Sequence, residues 1–139
     1  MTTFAFDHVG LSVADLDAQR RFYIQALGLD EQIGHTEMPQ AQIRTLILRG
    51  PTGLQIELIE RGGSVPREFA DAYDGARTQG YFHWALVVDD LEASLDSLLN
   101  AGATLVSAPA DARRRGFRFA YLKDPEGNLI ELIQPPPSH

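Results

Sequence analysis

The sequence predicts an α+β fold of two tandem βαβββ modules forming a curved mixed sheet, and three observations predict it. The segment Phe6-Asp7-His8-Val9-Gly10-Leu11-Ser12-Val13-Ala14-Asp15-Leu16 returns 75 residues later as Tyr81-Phe82-His83-Trp84-Ala85-Leu86-Val87-Val88-Asp89-Asp90-Leu91. Gly53-Leu54-Gln55-Ile56-Glu57-Leu58-Ile59 returns 74 residues later as Gly127-Asn128-Leu129-Ile130-Glu131-Leu132-Ile133. Between these markers each half repeats the same order of periodicities. A two-residue alternation comes first, then a helical stripe, then three more strand-like runs.

In the first half, residues 4–13 alternate as a strand. Val9, Leu11 and Val13 face one way, and Phe4, Phe6, His8, Gly10 and Ser12 the other. Asp15 is a suitable N-cap for a helix through Leu27, whose buried stripe is Leu16, Phe22, Tyr23, Ala26 and Leu27. Gly28 can end it in a left-handed conformation. A strand follows near Leu29–Ile33, then a loop over residues 34–41 that contains His35. Gln42–Arg49 reads as a strand, Pro51-Thr52-Gly53 as a turn and Leu54–Glu60 as the closing strand.

The second half runs parallel. Phe82–Val88 is a strand, and Asp89 or Asp90 caps a helix bearing Leu91, Leu95, Leu98 and Leu99, ended by Gly102. Strands are expected at Thr104–Ser107, Phe117–Lys123 and Asn128–Gln134, the last entered through the turn Asp124-Pro125-Glu126-Gly127. The chain is thus one domain over residues 1–139, with module one at about 4–60, a connection at 61–80 and module two at about 81–134. Within the connection, Gly62-Gly63-Ser64 reads as flexible and Pro66–Tyr73 as a short helix with Pro66 in its first turn. A connection of this length is either a functional loop or a plain linker. The tail Pro135–His139 reads as a frayed end.

Composition narrows the function. The 139 residues hold 44% hydrophobic and 22% charged residues, ordinary for a soluble globular chain. The net charge of −7 disfavours nucleic acid and anionic membrane surfaces as partners. No run is long and apolar enough to span a bilayer, and no basic or apolar leader opens the chain. The expectation is a cytoplasmic protein with a small-molecule substrate. There is no cysteine, so any metal must be held by His, Asp, Glu and water.

The duplication keeps one His and one Glu in register in each half: His8 and Glu57, His83 and Glu131. By strand parity Ile56 and Leu58 share one face while Gln55, Glu57 and Ile59 share the other; Ile130 and Leu132 likewise oppose Leu129, Glu131 and Ile133. The apolar faces must meet the helices. The Glu faces then point to the concave side of the sheet, where the four groups are expected in one metal-binding cavity. A Glu flanked by aliphatic residues is costly to bury alone, and a divalent cation is a suitable partner for carboxylate oxygen and neutral imidazole. Two His and two Glu neutralise such an ion. They leave two positions of an octahedral shell for water or a chelating substrate. His35 and His139 are not read as ligands.

These residues resemble the vicinal oxygen chelate superfamily, which contains glyoxalase I, the extradiol dioxygenases, methylmalonyl-CoA epimerase, and fosfomycin and bleomycin resistance proteins. The resemblance runs from about Phe4 to Gln134. It rests on Asp7-His8-Val9-Gly10, on Arg21-Phe22-Tyr23 through Ala26-Leu27-Gly28-Leu29, and on Asp124-Pro125-Glu126-Gly127-Asn128-Leu129-Ile130-Glu131-Leu132. It implies metal ligation by His8, Glu57, His83 and Glu131, and the set His, Glu, His, Glu resembles glyoxalase I. Epimerases tend to carry Gln at the position of Glu57, and the dioxygenases use three ligands. The implied cofactor is a divalent metal ion, Ni, Co, Zn, Mn or Fe, and the implied assembly is a homodimer.

The resemblance also implies a reaction: a metal-dependent lyase or isomerase of the glyoxalase type. It would act through a metal-stabilised enediolate on a small carbonyl or thioester-related substrate, with Glu57 and Glu131 as the catalytic carboxylates. An extradiol-type dioxygenase and a non-enzymatic, bleomycin-resistance-like binding protein are the alternatives. Ser12 stands where glutathione-dependent glyoxalases often carry Arg, and Arg61 where they often carry Asn. This argues against glutathione as the thiol. Arg61, Arg67, Tyr73 and Arg77 are candidates for binding an anionic substrate, and Arg113-Arg114-Arg115 is either a carboxylate or phosphate clamp or a solvated basic run.

Overall fold

The computed structural model describes residues 2–137, so the expectation for His139 lies outside the described residues. The chain divides between Pro66 and Arg67 into two compact units. The first contains β1 (Val9–Val13), α1 (Leu16–Leu27), β2 (Glu31–Met38), β3 (Ile43–Arg49) and β4 (Gln55–Arg61). The second contains α2 (Ala72–Gly75), β5 (Trp84–Val87), α3 (Leu91–Ala101), β6 (Thr104–Asp111), β7 (Arg118–Lys123) and β8 (Leu129–Gln134). The expected order βαβββ therefore occurs twice. Each unit is a four-stranded mixed sheet, ordered β1-β4-β3-β2 in one and β5-β8-β7-β6 in the other. The first strand of each runs parallel to the last, and the remaining pairs are antiparallel.

Strand parity decides the core of each unit. Leu46 and Leu48 of β3 and Ile56 and Leu58 of β4 are buried with Leu16, Phe22 and Tyr23 of α1. In the second unit Ala120, Leu122, Ile130 and Leu132 are buried with Leu91, Leu95 and Leu98 of α3. α1 lies against β3 and β4, and α3 against β6, β7 and β8. At about 25 cal/mol per Å² of apolar surface, each fully buried Leu or Ile contributes roughly 1.5–3 kcal/mol, so this face fixes the register of the strands.

Both helices start in the same way. The side chain of Asp15 accepts from Ala18 N at 2.9 Å, and that of Asp90 from Ala93 N at 3.0 Å. A residue at the end of the neighbouring strand satisfies a second helix-start donor. Glu60 Oε2 accepts from Leu16 N at 2.9 Å, and Gln134 Oε1 from Leu91 N at 2.7 Å. These are the N–H groups a helix cannot satisfy itself. Gly28 ends α1 at φ 68°, as the sequence predicts, and its N–H reaches Ile24 O at 3.0 Å.

The turns that feed the two Glu-bearing strands also match. Gly53 N bonds Gly50 O at 3.1 Å, and Gly127 N bonds Asp124 O at 2.9 Å. Gly53 and Gly127 have φ of 88° and 89°, a conformation that favours glycine. Asp124 reinforces its turn through its carboxylate, which accepts from Glu126 N, Asn128 N and Asn128 Nδ2 at 2.9, 3.0 and 2.8 Å.

Four expectations about elements are corrected. The first strand begins at Val9, not Phe4, because its ladder to β4 begins at Val9 opposite Ile56; Phe4 and Phe6 are exposed. Residues 34–38 continue β2 instead of looping. They pair with β3 and turn back through a 3₁₀ turn at Pro39–Ala41, so His35 lies on a strand. β6 extends to Asp111 across two irregularities, and Pro109 is tolerated there because β6 is an edge strand. The short helix of the connection is Ala72–Gly75, capped by Asp71, not a helix begun at Pro66.

Candidate functional site

In the first unit, His8 stands one residue before β1 and Glu57 sits in β4, where the parallel ladder places Gly10 opposite Glu57. His8 Nε2 and Glu57 Oε1 are 3.7 Å apart. Asp7 Oδ2 is 2.7 Å from His8 Nδ1. A carboxylate only accepts, so Nδ1 carries a proton directed at Asp7, which makes Nε2 the nitrogen able to act as a ligand. The chain here is tied to β4 by Gln55 Nε2, which donates to Asp7 O at 3.0 Å.

The second unit repeats the pair with different neighbours. His83 stands one residue before β5, and Glu131 in β8 is opposite Ala85 on one side and Tyr121 on the other. His83 Nε2 and Glu131 Oε1 are 3.1 Å apart. Phe82 and Tyr121 each meet the imidazole edge-on, with ring centroids at 4.9 and 5.2 Å. Burial, and then the charge of Glu131, hold the phenol above its ordinary pKa, so it remains a donor.

The donor set fits a divalent cation. Two cis ligands at about 2.1 Å from one ion lie roughly 3 Å apart, and an imidazole nitrogen and a carboxylate oxygen are both suitable. The separations of 3.7 and 3.1 Å are close to that value. The four side chains are 34, 27, 26 and 17% exposed for His8, Glu57, His83 and Glu131, so each is reachable. Among the described residues, no group of three or more His, Asp or Glu side chains is assembled as a metal site. What each unit supplies is one His–Glu pair.

The other sequence candidates lie elsewhere. Arg61 is the last residue of β4, opposite Ile43, and is exposed. Arg67 donates to Tyr81 O at 2.7 Å, which pins the connection to the approach to β5. Tyr73 is 89% exposed, and Arg77 is exposed in the turn after α2. Arg114 stacks on Phe117 at 3.9 Å. His35 Nδ1 lies 3.1 Å from Thr45 O. The connection packs on the second sheet: Lys123 Nζ donates to Phe69 O and lies over the Phe69 ring, which in turn meets Phe82.

Asp7 and Tyr121 are site neighbours that sequence reasoning missed. Asp7 lay beside His8 in the motif itself. Tyr121 could have been found by carrying strand parity into residues 117–123, where Phe119, Tyr121 and Lys123 share the face opposite the buried Ala120 and Leu122.

Comparison with known proteins agrees with the fold. Residues 7–121 match the family described as the Glyoxalase/Bleomycin resistance protein/Dioxygenase superfamily. The chain is 32% identical to a protein of Vibrio cholerae named probable lactoylglutathione lyase, over 95% of this chain and 91% of that one. It is 30% identical to a protein of the same name from Synechocystis, over 91% and 92% of the two chains. The glyoxalase family protein of Enterococcus faecalis shares the fold, with a TM-score of 0.78 at 20% identity over 93% and 96% of the chains. The doubled βαβββ unit, the repeated His and Glu and these relatives agree: the chain belongs to the Glyoxalase/Bleomycin resistance protein/Dioxygenase superfamily.

Proposed function

We propose that the protein is a metal-dependent lyase or isomerase of the glyoxalase type acting on a small carbonyl or thioester-related substrate. Its ligands to one divalent cation would be His8, Glu57, His83 and Glu131. The observation that carries this proposal is the pairing of one imidazole nitrogen with one carboxylate oxygen in each unit, at 3.7 and 3.1 Å. Kinship with proteins named probable lactoylglutathione lyase supports the reaction type.

Bound there, the cation would supply Lewis-acid stabilisation of negative charge on a substrate oxygen. The chain's own groups supply the rest. His8, held through Asp7, and His83, in edge contact with two rings, would be the imidazole ligands. Glu57 or Glu131 takes the proton from the carbon that bears the hydroxyl and the thiol in a thiohemiacetal. The same carboxylate returns it to the adjacent carbonyl carbon, while the proton of the hydroxyl passes to that carbonyl's oxygen. The product is a 2-hydroxyacyl thioester with the same atoms as the substrate. Arg61, Tyr73 and Arg77 are exposed cations and a phenol able to meet an anionic part of that substrate. Ser12 and Arg61 favour a thiol other than glutathione.

The test is the metal content of protein purified without chelator or affinity metal, beside a His8→Ala, Glu131→Ala double variant. About one equivalent per chain in the parent and none in the variant is expected, whether four ligands come from one chain or from two chains of a homodimer. Nickel, cobalt or zinc should then support thioester formation from a thiohemiacetal, assayed with glutathione and with a second thiol. Iron with oxygen uptake on catechols would move the assignment to dioxygenase. A parent that neither carries nor takes up metal would overturn the proposal in favour of a binding protein.

A further inference from the structure

The two half-sites hold their imidazoles by different means. The residue before His8 is Asp7, whose carboxylate meets the ring at 2.7 Å; the residue before His83 is Phe82, which offers only a ring. Phe82 meets His83 edge-on, with centroids at 4.9 Å and planes at 76°. Edge contacts of this kind favour one ring orientation and occupy neither imidazole nitrogen. Phe82 can act in this way only if its own ring is fixed, and the connection fixes it. Arg67 Nη1 donates to Tyr81 O at 2.7 Å, so the segment from 67 to 81 closes on itself directly before Phe82. Within that loop the ring of Phe69 lies 6.4 Å from that of Phe82. Phe69 is held in turn by Lys123, the only lysine of the chain, which donates to its carbonyl and lies over its ring at 4.4 Å.

Gly75 completes the enclosure. It ends α2, where Asp71 Oδ1 accepts from Asp74 N at 2.8 Å and Gly75 N reaches Asp71 O at 2.9 Å. A Cβ at Gly75 would lie 2.5 Å from Phe82 Cε1 and 3.2 Å from Phe69 Cδ2. The backbone there is not in the left-handed region, so glycine serves the close approach of the two rings. We infer that Phe82 is a positioning residue, held by Phe69 and Gly75 of the connection, that orients His83 Nε2 toward the cation beside Glu131. The inference rests on the proposed metal site and deepens it. It also gives the connection a role in the site that neither a plain linker nor a substrate loop would have.

The test compares the full-length parent with Gly75→Ala, Phe82→Leu, Glu68→Ala and Glu131→Ala, with a thermal melt of each. Two readouts are taken: the NMR shifts of the His83 ring protons without metal, and a cobalt(II) titration read by visible absorption and chelator competition. Gly75→Ala adds one methyl that the Phe82 ring must move to admit, and Phe82→Leu removes the ring without adding an atom at Gly75. Both should shift the His83 ring protons and weaken cobalt binding about tenfold or more, with an altered visible spectrum. Glu68→Ala, an exposed change beside Phe69, should move neither readout. If Glu131→Ala loses cobalt while Gly75→Ala and Phe82→Leu keep parental affinity and spectrum, the role of Phe82 is overturned and the metal site stands. If Glu131→Ala binds cobalt like the parent, the metal-site proposal falls and the role of Phe82 falls with it. Should the melt show that Gly75→Ala does not fold, Phe82→Leu decides alone by the same two readouts.

Discussion

Replacing Glu60 tests how the helix start is joined to the strand that carries Glu57. Glu60 lies on the helix side of β4, in step with Ile56 and Leu58, and its Oε2 accepts from Leu16 N at 2.9 Å. Leu16 is 2% exposed, so water cannot take over that bond in Glu60→Ala. Leaving a buried N–H without a partner costs about 1–3 kcal/mol. The expected loss is about 2 kcal/mol, or roughly 6 °C in Tm at about 3 °C per kcal/mol for a chain of this size. Glu60 also receives two bonds from Arg44, at 3.0 and 3.1 Å, but that guanidinium is exposed and its pairing adds little. The second unit makes the same bond from an amide, Gln134 Oε1 to Leu91 N, so the charge is not required. Glu60→Gln should therefore lose under about 1 kcal/mol, and Gln134→Ala should lose as much as Glu60→Ala. The assay is urea unfolding at constant slope, with hydrogen exchange at the Leu16 and Leu91 amides to localise the effect. If Glu60→Gln were as damaging as Glu60→Ala, the ion pair with Arg44 would be the seat of the effect and the reasoning would be refuted.

Three further outcomes are expected. Glu57→Gln and Glu131→Gln should each reduce turnover by about 10²-fold or more while the melting temperature stays near that of the parent; full turnover in both would remove them as proton carriers. Asp7→Asn, which weakens the hold on His8 Nδ1, should lower cobalt affinity by about tenfold, and an unchanged affinity would show that the 2.7 Å contact does not support the ligand. Hydrogen bonds from Arg49 to Glu31 and from Arg118 to Glu92 hold both carboxyls below their ordinary pKa of 4.5. Their contribution is present above the unfolded-state value and is lost as pH falls through the lower folded-state value, so Glu31→Gln, Glu92→Gln should flatten the fall of Tm below about pH 4.5. A parental slope in that double variant would place the acid sensitivity elsewhere.

The parts of the fold that repeat were legible in the sequence because they depend on local pattern. Asp15 and Gly28 mark the ends of α1 by capping chemistry, and parity in β4 and β8 separated Glu57 and Glu131 from the buried Ile56, Leu58, Ile130 and Leu132. What was not legible depended on partners distant in sequence. Residues 34–38 look like a loop because the exposed edge strand β2 is rich in polar residues; only pairing with β3 makes it a strand. Phe4 and Phe6 alternate correctly but have no ladder to join. Tyr121 became a neighbour of Glu131 only once the register of β7 on β8 was known. The connection, read as loop or linker, packs Phe69 against Phe82 and Lys123 in the second unit.

Gly10 carries a consequence for how such a chain tolerates selection. Its backbone is not in the left-handed region, and an added methyl would rest 3.9 Å from Glu57 Oε1 and Ile59 Cδ1, an ordinary contact. The strand therefore has no conformational need for glycine, yet glycine there weakens it by roughly 0.5–1 kcal/mol relative to alanine. In the second unit the same place holds the small Ala85. The bare backbone beside the carboxylate amounts to vacant room on the open face of the sheet, kept at the expense of the strand. Laboratory evolution scored on heat tolerance alone would drift toward valine or isoleucine at this position. It would return a sturdier protein in which the open face beside Glu57 had been filled by a side chain.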